Sequence, residues 1–341
     1  MPRVIIVTNS LTGGGAERSM NLLANELMHQ GFTVGLVPIN RGPADQINPH
    51  CEVMPLDRRW PGGLKDTITA YLKFNQIIYK WKPNILILNC DLPELFGALL
   101  MRPVPLVIVE HTSLPWNTRK RLGLTVRKIL SLKRAKWVAV SSHLETWPAG
   151  NRFSAIIPNP VDQKIEKIKL ENNVALKRII FVGRLSLEKR PQWLLEIARS
   201  IPFPIEIIGD GPLRDKLESS VIEEGLSIKF HGQQLRPWDL INKGDLLVIP
   251  SQYEGDGLVL IEAMLHQCPV LVADIPDLRR FNLEESSYCL GPQDFTSAIM
   301  KFEKKLDLLV IPNNLSRAEI TSRSISSVGE KWAMVLKTHH N

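Results

Sequence analysis

The stretch Leu246-Leu247-Val248-Ile249-Pro250-Ser251-Gln252-Tyr253-Glu254-Gly255-Asp256-Gly257-Leu258-Val259-Leu260-Ile261-Glu262-Ala263-Met264 passes from one periodicity into another. Its first four residues form an unbroken apolar run, as expected of a parallel strand covered on both faces. Turn-forming residues fill Pro250 to Gly257, and a helix is expected over 257–267. Glu254 therefore falls in a loop at the carboxyl end of a strand, the edge at which open α/β sheets bind ligands. Gly255 and Gly257 let the backbone approach a ligand, and the helix opening at Leu258 and Val259 turns its first N–H groups to that edge. Glu262 follows Glu254 by eight residues, about two turns and at most ~12 Å along the axis. Two carboxylates so placed can accept hydroxyl hydrogen bonds from different parts of one extended polyol. Glu262 also lies among Leu258, Ile261, Met264 and Leu265, where a carboxylate is costly unless it finds a donor.

The same strand-then-helix alternation extends in both directions. Upstream, Ile179–Val182, Ile205–Ile208 and Ser227–Phe230 read as strands, and Val270–Ala273 follows downstream. Helical segments at 190–200, 212–224 and 236–243 separate them. An earlier series has short apolar runs at Val4–Thr8, Phe32–Pro38, Ile85–Leu88, Leu106–Val109 and Trp137–Val140, with helices over Ala16–His29 and 64–82. The lysine-rich stretch 163–178 reads as a linker. Two βαβ series joined by a linker make an α/β protein of two doubly wound, Rossmann-like domains, 1–165 and 166–317. A last helix, about 318–341, is expected to pack back on the first domain.

With 341 residues, 44% of them hydrophobic and 23% charged, the chain has the composition of globular proteins, which excludes disorder and fibrous repeats. No apolar run reaches the ~18 residues a membrane span needs, and Val4–Val7 reads as a first strand and not a signal segment. Cys51, Cys90, Cys268 and Cys289 are far apart, which argues for a reducing, cytoplasmic setting over a disulfide framework. The charge of +7 is unevenly spread. Residues 1–162 hold 19 Lys and Arg against 11 Asp and Glu, a net of +8, and residues 163–341 hold 23 against 24, a net of −1. No acid lies between Glu110 and Glu145, whereas Arg119, Lys120, Arg121, Arg127, Lys128, Lys133, Arg134 and Lys136 do. This is either a solvated helix face or a surface for an anionic partner. Over 117–136 the cations alternate with Leu122, Leu124, Val126, Ile129, Leu130 and Leu132, the composition of a helix lying in an anionic membrane interface or half-buried on a sheet.

Several chemistries are excluded by missing motifs. There is no Gly-Lys-Ser/Thr phosphate loop, and Arg18 stands where a dinucleotide fingerprint starting at Gly13 needs its last glycine. No G-x-S-x-G nucleophile elbow, H-E-x-x-H or D-x-D is present. A nucleic-acid binder would rest on charge alone, without an aromatic platform. Gly13-Gly14-Gly15, between the first strand and a helix, is either a tight turn or an anion-binding turn. Gly183-Arg184 ends the strand Ile179–Val182, and Lys189 follows five residues later, so two cations stand at the ligand edge of the second domain, suited to a diphosphate. His111 follows Glu110 at a strand end of the first domain, either as a filler or within reach of a substrate hydroxyl.

Together these pieces resemble the GT-B glycosyltransferases, and among them the retaining family 4 enzymes. The resemblance runs through Gly14-Gly15-Ala16-Glu17, Glu110-His111, Ser141-Ser142, Pro158-Asn159-Pro160-Val161-Asp162, Val182-Gly183-Arg184-Leu185 with Lys189, Gly209-Asp210-Gly211-Pro212, His231-Gly232 and the E-x7-E pair Glu254/Glu262. It implies a nucleoside-diphosphate sugar as donor, UDP sugars among the candidates, bound by the C-terminal domain. A glycan or lipid-linked acceptor would bind the N-terminal domain, in cell-surface polysaccharide synthesis at the inner face of the membrane. It implies Arg184 and Lys189 on the diphosphate and Glu262 on the ribose. Glu254 and the backbone at Asp256, Gly257, Leu258 and Val259 would lie near sugar and phosphates, with Gly183 and Gly211 lining the same edge. His111 would contact the donor sugar, and Gly14 and Gly15 the phosphates. His111, Glu254, Arg184 and Lys189 would thus carry catalysis, with no metal and no cofactor besides the donor.

Three positions depart from the family pattern. Asp256 stands where an aromatic is usual, Ile275-Pro276-Asp277 replaces a Gly-Gly turn, and Asn159-Pro160 replaces Asn-Gly. Asp256 leaves a non-catalytic nucleotide-sugar-binding protein as the alternative expectation.

Overall fold

The computed structural model describes residues 1–11, 14–41, 51–59, 62–112, 114–144, 153–161, 174–234, 236–306 and 317–340. Gly13, Asp162 and residues 163–173 of the expected linker lie outside these. The chain divides into two units, Met1–Val161 with Thr321–Asn341, and Asp162–Ile320.

Unit 1 is built from β1 (Arg3–Thr8), α1 (Gly15–His29), β2 (Thr33–Pro38), β3 (Glu52–Val53), α2 (Leu64–Trp81), β4 (Ile85–Asn89), α3 (Asp91–Leu99), β5 (Leu106–Glu110), α4 (Lys120–Leu132), β6 (Lys136–Ala139) and β7 (Ala155–Ile156). Its sheet runs β3-β2-β1-β4-β5-β6-β7, every neighbour parallel. The continuous apolar runs are explained by this order, since β4 and β5 are buried at every residue. Val4, Ile6, Ile85, Ile87, Val107 and Val109 pack toward α1, and Ile5, Val7, Leu86, Leu88, Leu106 and Ile108 pack toward α2, α3 and α4.

Unit 2 comprises β8 (Arg178–Val182), α5 (Trp193–Ala198), β9 (Ile205–Ile208), α6 (Arg214–Glu224), β10 (Ile228–Gly232), β11 (Asp245–Ile249), α7 (Leu258–His266), β12 (Val270–Ala273), α8 (Pro276–Arg279), β13 (Tyr288–Cys289) and α9 (Pro292–Phe302). Its parallel sheet runs β10-β9-β8-β11-β12-β13. Both sheets therefore reverse direction beside their first strand, between β1 and β4 and between β8 and β11. The expected helix at 236–243 is a 3-10 turn at Pro237–Leu240, begun by a proline. The linker reading overreaches at its end: Val174 and Leu176 are buried in the unit 2 core, and Arg178 opens β8.

The final segment is two helices, α10 (Arg317–Ser322) and α11 (Ile325–His340), where one was expected. Val328, Trp332 and Leu336 of α11 join the α1-side core of unit 1. Gly329 permits the approach, because a Cβ there would stand 2.1 Å from Glu26 Cγ on α1.

In unit 2 the turn after β9 is wedged against the end of β8. A Cβ on Gly209, whose φ is +148°, would lie 1.9 Å from the Gly183 carbonyl oxygen, and one on Gly211 would lie 2.5 Å from that of Leu185. Gly209→Ala is therefore expected to destabilise the protein by roughly 2–4 kcal/mol, read as a lower denaturant midpoint at unchanged slope.

Candidate functional site

A parallel sheet leaves a crevice at the carboxyl ends of its strands where the strand order reverses. In unit 2 that point lies between β8 and β11, and the sequence-expected residues gather on that edge. Gly183 N–H donates to the Ile208 carbonyl at 3.0 Å and Leu185 N–H to that of Asp210 at 2.9 Å, which fixes the backbone beneath Arg184. The Arg184 side chain is exposed and makes no ion pair or hydrogen bond among the described residues.

Lys189 ends a 3-10 turn at Leu187–Lys189. Its Nζ donates to Glu254 Oε1 at 2.6 Å, and Ser251 Oγ donates to the same oxygen at 2.6 Å. Gln252 N–H donates to the Glu188 carbonyl at 2.7 Å, so the loop after β11 is tied to the turn after β8. Both side-chain contacts fall on Oε1, leaving Glu254 Oε2 without a partner among the described residues. The expectation of two equivalent cations thus divides: Lys189 is neutralised by Glu254, and Arg184 keeps its charge open to the edge.

Glu262 lies in α7 and is 5% exposed. The donor that its burial demands is the indole of Trp238, whose Nε1 donates to Glu262 Oε2 at 2.8 Å. Trp238 in turn stacks on His266, one helical turn beyond Glu262, at 4.6 Å between ring centroids. Gly257 caps α7 with φ +64°, a left-handed conformation suited to glycine, and a Cβ there would stand 3.0 Å from the Phe281 ring. Leu258 and Val259 begin the helix, and the N–H groups of a first turn have no partner within their own helix.

The side chain of Asp256 is buried. Arg280 Nη2 donates to the Asp256 carbonyl at 2.6 Å and lies 3.7 Å from its Oδ1. Asp277 Oδ2 accepts the Glu254 N–H at 2.8 Å. These two contacts, and Trp238, escape a reading of the sequence, because their partners lie 23 or 24 residues away and no local pattern pairs them. The stiff Ile275-Pro276-Asp277 turn was the one visible signal.

In unit 1 the reversal lies between β1 and β4. There Asn89 Nδ2 donates to Thr8 Oγ1 at 3.2 Å. Gly14 caps α1 and Gly15 is its first residue; a Cβ on Gly14 would meet nothing nearer than 3.7 Å, so the fold itself does not require glycine there. His111 follows β5, and its buried Nε2 has no hydrogen-bond partner among the described residues. Burial pulls its pKa down to about 4, so the imidazole is neutral at physiological pH.

One reading of the basic interval is overturned. Arg127 is not a surface cation: it is 1% exposed, donates to both Glu94 oxygens at 3.0 and 2.7 Å and to Glu110 Oε2 at 2.7 Å, and lies 4.9 Å above Trp137. Trp116 Nε1 adds a further donor to Glu94 at 2.8 Å. One guanidinium faces two carboxylates, and burial pushes Glu110 up to about 7 against the pull of Arg127. Lys133 Nζ is likewise committed, to the Gly97 and Leu100 carbonyls at the end of α3. Among the described residues no three His, Cys, Asp or Glu side chains gather to hold a metal ion.

Both halves of the chain match known protein families. Residues 13–164 match the family model for "Glycosyltransferase Family 4" and residues 162–314 that for "Glycosyl transferases group 1". The chain belongs to the glycosyltransferases of GT-B fold. It is 28% identical over 263 residues to the sulfoquinovosyl transferase SQD2 of Arabidopsis thaliana, covering 67% of this chain and about half (51%) of that protein. It is 24% identical over 354 residues to a glycosyltransferase of Haemophilus influenzae, covering 97% of this chain and 98% of the relative. Among solved structures, Anabaena HepE in complex with UDP and glucose superposes with a TM-score of 0.77 at 20% identity, over 99% of this chain and 100% of that one.

The neutral His111 gives unit 1 a defined pH response. With its folded pKa near 4 and its unfolded value at 6.5, its contribution is fully present above pH 6.5 and is lost as the pH falls toward 4. Between pH 7 and pH 5 the protein is expected to lose about 2 kcal/mol more stability than His111→Gln does, measured by denaturant unfolding at both values.

Proposed function

We propose that this protein is a retaining transferase of the E-x7-E type. It moves a hexose from a nucleoside-diphosphate sugar to a glycan or lipid-linked acceptor in cell-surface polysaccharide synthesis. The observation that carries the reading is the group at the carboxyl ends of β8 and β11 in unit 2: Lys189 and Ser251 on Glu254, the exposed Arg184 side chain at the end of β8, and Glu262 held in α7. The UDP bound to Anabaena HepE supports a nucleotide donor, with UDP the first to try.

In this reading Arg184, Lys189 and the first N–H groups of α7 stabilise the diphosphate as it leaves, which is where charge develops in glycosyl transfer. Glu254 Oε2 accepts from a sugar hydroxyl while Oε1 stays on Lys189, and Glu262 takes the ribose hydroxyls. The neutral imidazole of His111, on unit 1, suits a sugar hydroxyl. Fixed cations supply the charge that a metal supplies elsewhere, so the reaction is metal-independent and needs no cofactor.

The test is a thermal-shift panel of UDP, GDP and ADP sugars, followed by transfer assays with cell-derived acceptors. One donor is expected to raise the melting temperature. Glu262→Gln should weaken its binding about tenfold or more, and Arg184→Ala should mainly lower kcat. No stabilisation by any donor would remove the proposal, and binding without turnover would favour the non-catalytic alternative.

We also infer that unit 1 docks peripherally on an anionic membrane face. Among the described residues no helix is long and apolar enough to cross a membrane. Leu122, Leu124 and Leu132 of α4 are nevertheless exposed, Leu132 at 76%, beside exposed Lys120, Arg121 and Lys128. Leu124→Glu/Lys128→Glu/Leu132→Glu is expected to lower co-sedimentation with phosphatidylglycerol vesicles several-fold at equal melting temperature. An unchanged bound fraction would end this reading.

A further inference from the structure

The acid at position 256 sets an electrostatic difficulty that the structure answers. Asp256 directly precedes Gly257, the cap of α7, so a carboxylate stands beside the positive end of the helix on the ligand edge. Its side chain is 2% exposed, which leaves solvent little part in screening it. A diphosphate drawn to the same helix end would meet a fixed negative charge.

Arg280 stands against that charge. Its Nη2 lies 3.7 Å from Asp256 Oδ1 and donates to the Asp256 carbonyl at 2.6 Å. Its Nε donates to the Asp277 carbonyl at 3.0 Å, and the guanidinium lies 4.4 Å above the Phe281 ring. These contacts fix its direction. Phe281 packs against Gly257, so the segment that carries Arg280 also seats the start of α7. Asp277, from the same segment, holds the Glu254 N–H.

We propose that Arg280 is a positioning residue for the donor: it neutralises Asp256, so that the amino end of α7 can accept a diphosphate. The proposal rests on the donor reading above. Arg280 acts through Asp256 and need not touch the ligand. It makes Asp256 and Arg280 a matched pair of charges.

Charge compensation tests this. The probe is whichever of UDP, GDP and ADP most raises the melting temperature, with its parent nucleoside as a control lacking phosphates. Arg280→Gln is expected to weaken diphosphate binding about tenfold at low salt and to leave the nucleoside unaffected. Asp256→Asn/Arg280→Gln, having no anion to neutralise, should return to within about twofold of the wild type. Asp256→Asn alone should bind the diphosphate at least as tightly as the wild type, a readout that stands even where Arg280→Gln folds poorly. The proposal is overturned by unchanged affinity in Arg280→Gln, by a double variant that stays weak (the result if Arg280 contacts phosphate directly), by a parallel loss for the nucleoside, or by weaker binding in Asp256→Asn. A wild-type protein that binds none of the three diphosphates would instead remove the donor reading on which the proposal stands.

Discussion

Every neighbouring pair of strands in both sheets is parallel. Parallel neighbours need crossover connections, most of them carried here by a helix, so the carboxyl ends of the strands lie on one edge and the helices that follow them begin there. When the order reverses beside the first strand, two adjacent connections leave in opposite directions and a crevice opens between them. In unit 2 the connections after β8 and β11 diverge in this way, and Lys189 from one meets Glu254 from the other. Unit 1 repeats the device, with Thr8 and Asn89 hydrogen-bonded at its reversal.

The charges divide into those that hold the fold and those that face the edge. Arg127 belongs to the first kind. Burying a guanidinium is tolerable only with its donors satisfied, and Glu94 and Glu110 do this from α3 and β5. Lys133 does similar work on the carbonyls that end α3. The positive excess of the first half therefore overstates the cationic surface of unit 1. Unit 2 holds 20 Lys and Arg against 24 Asp and Glu, a net of −4, yet its Arg184 side chain makes no ion pair among the described residues. Where a charge sits, and with whom, matters more here than the total.

Much of the architecture was legible because buried parallel strands write themselves as unbroken apolar runs. Each long central strand was found within two residues. The omissions share a cause. β3, β7 and β13 have two residues each and exist only because a neighbouring strand offers a ladder. α3 carries Pro93 and Gly97, which weaken its helical signature, and packing against α4 stabilises it regardless. The helix foreseen at 236–243 begins with Pro237 and turns more tightly, which brings the Trp238 indole to Glu262.

The two α/β domains, the strand-end edge of each and the residues that stand on it could be read from the chain alone, since periodicity and loop position are local properties. The pairings emerge only on folding: Lys189 with Glu254, Trp238 with Glu262, Arg280 with Asp256, and Arg127 with Glu94 and Glu110 away from the surface. The physical reason is that a buried charge or donor must find its partner in three dimensions, and the partners lie 17 to 65 residues away in the chain.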